Sequence, residues 1–251
     1  MILSHRHKFV FMHCRKAAGS SLTVSLSRYL GPLDIQIGAH RDAFDQGVGP
    51  NLRALSRLAT IKGGAGLVRA LRRGDRFSSA TAQAIKESYA QVIDSDPAHP
   101  LARSMQAAFP RQWDSYFKFC IVRNPYDRVV SDYFWRIRSS RSPPSFSHYV
   151  AALGSGDRLD GIVPLRHDNW EMYTIDDRIA VDRIARFETL LEDLRNVVAE
   201  TGISWDGWLP RSKQRAGGRT EYRDMYSARD AAIVGRVYEK EIEQFGYRFD
   251  G

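Results

Sequence analysis

Residues 8–31, KFVFMHCRKAAGSSLTVSLSRYLG, constrain this chain more than any other stretch. Phe9, Val10, Phe11 and Met12 form an apolar run of a length suited to a buried strand. Leu22, Leu26, Tyr29 and Leu30 then recur at helical spacing until Gly31-Pro32 stops them. Between the two lies a turn of small and basic residues, His13 through Ser21. A strand that turns directly into a helix leaves the first helical N–H groups and the positive end of the helix dipole aimed into that turn. Lys16 adds a full charge, and Ser20 and Ser21 add hydroxyl donors. The expected occupant is an anion carrying phosphate or sulfate.

The turn is not a nucleoside-triphosphatase loop. That loop places lysine directly after its last glycine, followed by a hydroxyl residue for magnesium; here Lys16 precedes Gly19, and the triphosphatase pattern occurs nowhere in the chain. A second stretch strengthens the anion reading. Phe117 to Val122 is another strand candidate, followed at once by RNPYDRVVSDY from Arg123 to Tyr133. Pro125 suits the first turn of a helix, which puts Arg123 at the strand's end and Ser131 about two turns in. An arginine fork and a hydroxyl there suit a terminal phosphate.

Taken together, KAAGSSL and VRNPYDRVVSDY resemble the paired cofactor motifs of sulfotransferases that use 3′-phosphoadenosine 5′-phosphosulfate (PAPS), and most nearly the carbohydrate sulfotransferase group, whose first motif commonly reads PKTAGTS. The stretch from Trp113 into the second motif, Arg186-Phe187-Glu188-Thr189-Leu190-Leu191-Glu192-Asp193, Tyr222-Arg223-Asp224-Met225-Tyr226 and Phe245-Gly246-Tyr247 are similar to further elements of that family. The likeness covers residues 8–31 and about 99–249. Arg15 stands where the family has proline and Ala17 where it has threonine, so one hydroxyl donor is replaced, and Arg15 either compensates with charge or faces the acceptor.

The resemblance implies an enzyme that moves a sulfuryl group from PAPS to an acceptor hydroxyl, of a small molecule, glycan or glycolipid, without a metal. Lys16 would neutralise charge on the bridging oxygen. Arg15, Lys16, Ala18, Gly19, Ser20 and Ser21 would hold the 5′ end, and Arg123 and Ser131 the 3′-phosphate. Arg219, in the loop Arg215-Ala216-Gly217-Gly218-Arg219, would close over the cofactor; a solvated basic loop is the alternative. A histidine suits general-base work, worth ~10²–10⁴-fold. His99, 24 residues before Arg123 as family members often have it, is the first choice. His40 and His13 follow.

Strands alternating with helices predict an α/β fold, P-loop-like and three-layered, with a central mainly parallel sheet flanked by helices. The 251 residues suit a single domain carrying a basic helical insertion at about 40–98. Within it, residues 50–80 hold Arg53, Arg57, Lys62, Arg69, Arg72, Arg73 and Arg76 against Asp75. Two short amphipathic helices around a Gly63-Gly64-Ala65-Gly66 hinge are expected, either as a solvated insertion or as a wall that attracts an anionic acceptor or makes peripheral contact with a membrane. Residues 32–50 and 204–219 read as loops, 81–97 as a helix, 181–186 as a strand, and 227–245 as one helix with a cap at Ser227-x-x-Asp230.

The net charge of +8 calls for an anionic partner. No nucleic-acid-binding signature accompanies it, so none is expected to bind. No run approaches the ~18 apolar residues of a membrane span and no leader-like segment opens the sequence, which favours a soluble, cytoplasmic enzyme of bacterial type. Cys14 and Cys120 read as buried free thiols. The rivals are a nucleotide-dependent phosphotransferase and a non-catalytic anion- or nucleic-acid-binding protein. Nothing in the sequence sets the oligomeric state.

Overall fold

The two apolar runs that precede the motifs lie side by side, Phe9 opposite Phe117 and Met12 opposite Cys120, in parallel register. The computed structural model describes residues 1–164, 169–210 and 221–250. In chain order the elements begin with β1 (Ile2–Ser4), β2 (Phe9–Met12), α1 (Gly19–Ser27), β3 (Ile35–Gln36) and α2 (His40–Asp45). A helical stretch follows: α3 (Leu52–Leu58), α4 (Ile61–Arg72), α5 (Phe77–Tyr89), α6 (Ala102–Ala108) and α7 (Pro110–Ser115). Then come β4 (Phe117–Val122), α8 (Pro125–Ile137), α9 (Phe146–Ser155), α10 (Trp170–Tyr173), β5 (Thr174–Ile175), β6 (Arg178–Ile179), β7 (Arg183–Arg186) and α11 (Leu190–Thr201). A 3₁₀ turn at Tyr222–Met225, α12 (Ala228–Val237) and α13 (Glu239–Phe245) complete the described chain.

The central sheet has the order β3-β1-β2-β4-β7. β1 is antiparallel to both β2 and β3, and β2 is parallel to β4. It follows that β2, β3 and β4 point the same way and β1 alone among these four is reversed. This is the mainly parallel, helix-flanked α/β sheet that the alternation of elements predicts. All four residues of β2 are buried, which is why it reads as an unbroken apolar run and not as an alternating one.

β1 is a departure, since the sequence reading begins its first strand at Phe9. A three-residue strand is too short to show a period. What builds the hairpin is the buried Asp34 carboxylate, which accepts from Ser4 Oγ (2.7 Å) and from the N–H groups of His5, Arg6 and Gly31. The expected loop at 32–50 contains β3 and α2, both again too short for periodicity. β5 and β6 form an unforeseen hairpin whose turn residues, Asp176 and Asp177, are both left-handed, the conformation that two-residue hairpin turns favour. α5 stops at Tyr89, short of the expected end near residue 97. The final helix is broken at Tyr238 into α12 and α13, while its predicted start stands: Ser227 and Asp230 form a reciprocal capping box.

The glycine hinge is corrected outright. Gly63, Gly64, Ala65 and Gly66 lie inside α4, and the corner falls at Ala59-Thr60. Thr60 caps α4 by accepting from the Gly63 N–H (3.1 Å). A Cβ on Gly63 would collide with the Arg57 carbonyl, so the glycine serves a tight corner between helices, not flexibility.

Two compact units are present, the first with described residues 1–121 and 171–210, the second with 122–164, 169–170 and 221–250. In the first, α4 and α3 pack on α5, and the segment after α11 lies along α1: Trp205 Nε1 donates to Ser25 Oγ at 2.8 Å and Arg28 pairs with Asp206 at 2.7 Å. Asp193 accepts from the Arg186 N–H (2.6 Å) and from Thr189 Oγ1 (2.9 Å), which is the local reason for the RFETLLED pattern at the start of α11. The second unit has its own core, built from Tyr126, Val129, Val130 and Tyr133 of α8, Phe146, Tyr149, Val150 and Leu153 of α9, and Val234 with Tyr238. Among the described residues, no helix is long and apolar enough to cross a membrane.

Candidate active site

In the first unit, β2 ends at Met12 and α1 begins at Gly19, so residues 13–18 make the whole turn. Lys16 (φ 60°) and Ala18 (φ 61°) are both left-handed, with Ala17 between them at negative φ. L-residues reach that region at a cost of about 1–2 kcal/mol each, and such outliers concentrate where function requires a particular backbone. Alternating handedness turns successive N–H groups toward one side and makes an anion-binding concavity. α1 carries no acidic side chain in its first turn, and its N-cap, Ala18, offers no side-chain acceptor. Arg15, Lys16, Ser20 and Ser21 surround this backbone, so the donor set is entirely of the kind that takes an anion.

Gly19 is required by a neighbour. Its φ is ordinary, but a Cβ there would land on the imidazole of His13. The His13 ring is buried, stacked on Phe11 (centroids 5.8 Å apart) and meeting His99 edge-on (4.5 Å). His99 in turn donates from Nδ1 to the carbonyl oxygen of His13 at 2.8 Å. A carbonyl can only accept, so in the neutral ring the lone pair sits on Nε2. Burial pushes the His99 pKa down to about 3; the Met1 amine and Arg15 act in the same direction, and the His13 carbonyl and Asp96 oppose them. His99 is therefore neutral at pH 7 with its tautomer fixed.

Asp96 was not singled out by sequence reasoning, and it organises this side of the turn. It takes Lys86 at 2.9 Å and Arg15 at 3.4 Å, and accepts from the Ala98 N–H at 3.1 Å. Arg15, at the position where the family has proline, is thus directed to a carboxylate of its own chain. His40, the second candidate base, is buried at the start of α2, and its Nε2 donates to the Gln36 carbonyl (3.0 Å). Burial lowers its pKa to about 4. Cys14 and Cys120 are both buried.

In the second unit, Arg123 directly follows the last residue of β4. Asn124 caps α8, its side chain accepting from the Tyr126 N–H (3.1 Å) and donating to the Arg248 carbonyl (3.2 Å), and Pro125 occupies the first turn. Arg123 is held by Asp127, Nε at 2.8 Å and Nη2 at 2.6 Å from the same carboxylate oxygen. The four-residue spacing makes this pair legible in the sequence, although only Arg123 draws attention there. Ser131 is half-buried on α8. The buried Arg128–Glu241 ion pair, with Tyr238 beneath the guanidinium at 4.6 Å, fixes α8 to α13. The YRDMY segment serves this end of the helix too: Tyr226 Oη donates to the Tyr126 carbonyl (2.8 Å) and Tyr222 Oη to that of Phe249 (2.8 Å).

Of the residues named from sequence, His13, Arg15, Lys16 and Ala18 lie in the turn and Gly19, Ser20 and Ser21 at the start of the helix that follows it, with His99 against His13. Arg123 and Ser131 belong to the second unit. Arg219 and Arg215 lie outside the described residues. Among the described residues, no group of three or more His, Cys, Asp or Glu side chains is arranged to hold a metal ion.

A family model described as the sulfotransferase family matches residues 1–158, a span that includes both motifs. A crystal structure of a sulfotransferase from Alicyclobacillus acidocaldarius is similar at 17% identity, over 96% of this chain and 98% of that one, with a TM-score of 0.41, too weak a likeness to define the fold by itself. Comparison with curated proteins finds no match.

Proposed function

Because this chain belongs to the sulfotransferase family, we propose that it moves the sulfuryl group of PAPS to an acceptor hydroxyl, on a glycan, a glycolipid or a related small molecule. PAPS supplies an activated sulfuryl group whose departure leaves charge on a phosphate oxygen. The observation that carries the reading is the turn between β2 and α1, where two left-handed residues and an acid-free helix start provide an anion cradle beside Lys16.

In this reading the N–H groups at Gly19, Ser20 and Ser21, with the two hydroxyls, bind the 5′ end of the donor. Lys16 places its ammonium where negative charge grows during transfer, the kind of preorganised stabilisation that is worth most in a water-poor site. Arg123, oriented by Asp127, and Ser131 bind the 3′-phosphate, and Arg219 is the remaining candidate for donor contact. His99 is the base: its Nδ1–H is committed to the His13 carbonyl, so Nε2 is the atom that takes the acceptor proton. A base held near pKa 3 is weak, and negative charge placed beside it works against desolvation and Arg15 to raise it. The segment 40–98 is an insertion that shapes the acceptor side.

The test is transfer of label from sulfate-labelled PAPS to hydroxyl acceptors with no metal added. Lys16→Ala is expected to lower turnover by about 10²–10³-fold, the range for removing one such electrostatic contact, with a much smaller change in donor affinity. Full turnover in Lys16→Ala would remove the lysine from the chemistry.

A further inference from the structure

α4 is built inside out. Its packed face carries Gly63, Gly66 and Ala70, all buried, and α5 comes close enough that a Cβ on Gly66 would sit 3.6 Å from that of Ala84. The opposite face, at the spacing i, i+4, i+7, i+11, carries Ile61, Ala65, Val68 and Arg72, every one exposed, Ile61 at 93%. Leu71 flanks this stripe on one side and Arg69 and Arg73 on the other. Exposed Leu52 and Leu55 on α3 and Phe77 at the start of α5 add to the same helical segment. A water-facing helix has its large apolar residues inward; small residues inward and branched ones outward is the order found where the outer surroundings are apolar.

The charges say which apolar surroundings. Arg72 and Arg76 have no acidic partner among the described residues, and the acids near Arg69 and Arg73, Glu87 and Asp75, stand 3.7 and 3.5 Å from arginines that are themselves more than half exposed. We propose that the exposed face of α3, α4 and the start of α5 docks on an anionic lipid surface, with Ile61, Val68 and Leu71 entering the headgroup–acyl boundary and Arg69, Arg72, Arg73 and Arg76 meeting lipid phosphates. A second copy of this chain would set arginine against arginine. Residues 211–220, which carry Arg211, Lys213, Arg215 and Arg219 and no acid, do not complement the face either. A polynucleotide would satisfy the arginines but leave the apolar stripe in water.

Co-sedimentation with phosphatidylcholine vesicles, with and without phosphatidylglycerol, tests this in the absence of donor or acceptor. Binding is expected only with the anionic lipid and is expected to fall as salt rises. Arg72→Ala should weaken it by about fivefold, the worth of one basic residue at such a surface. Val68→Glu should abolish it, and Leu191→Glu, at an exposed apolar position on α11, should leave it unchanged. All three sites are exposed, and circular dichroism verifies that the variants remain folded. Three results would each overturn the proposal: no binding to anionic vesicles, equal binding by Val68→Glu, or tighter salt-sensitive binding to single-stranded polynucleotide that Val68→Glu does not alter.

Discussion

His13 and Gly19 set the limits of the anion turn by occupying each other's space. The imidazole lies where a Gly19 side chain would be, so Gly19→Ala must push the ring off Phe11 and His99. Overpacking of this kind costs about 1–3 kcal/mol, to be read as a lower urea midpoint. Unchanged stability in Gly19→Ala would mean that the ring is not held as described. At this scale the sequence was informative where a residue's chemistry is local. Lys16, the serines and Pro125 could be read directly, as could Asn124 once Pro125 marks the helix start. Asp96 could not, because its importance comes from Arg15, 81 positions away in sequence, and no spacing rule reaches that far.

Among the elements, α4 separates two roles of glycine that look identical in sequence. Gly63 faces the Arg57 carbonyl, a backbone atom that cannot yield, whereas an added Cβ on Gly66 meets only the tip of Glu87 (2.9 Å) and ordinary contacts with Ala84. Gly63→Ala should therefore destabilise by about 1–3 kcal/mol. Gly66→Ala should be neutral or stabilise by roughly 0.5–1 kcal/mol, the helix-propensity difference. Paired thermal melts check the contrast, and equal effects would contradict it. The same helix shows why a GGAG run misleads: glycine marks a hinge in a sequence, but here the break is set by the Thr60 cap, three residues before Gly63. Long or capped elements, β2, β4, α8 and the start of α12, were legible. β1, β3, α2 and the β5–β6 hairpin were not, since each is too short for its pattern to repeat often enough to be read.

At the scale of the molecule, buried neutral histidines set the acid limit. His40 and His99 titrate at about 4 and about 3 in the folded chain against 6.5 when unfolded. At these two positions the unfolded state thus binds more protons between pH 6.5 and 4, and the stability they contribute is complete above pH 6.5 and is lost as pH falls through that window, by about 1.4 kcal/mol per pH unit for each group. The urea midpoint should be lower at pH 5 than at pH 7.5, and His40→Gln should narrow the difference. A midpoint that does not move would place these rings in water.

Calorimetric titration with 3′,5′-adenosine bisphosphate, the donor without its sulfuryl group, tests the proposed donor, with ATP and 5′-AMP as controls and no metal added. Micromolar binding of the bisphosphate, much weaker binding of the controls, and loss of the preference in Arg123→Ala are the predicted result. No binding, or ATP bound as tightly as the bisphosphate, would contradict PAPS as the donor.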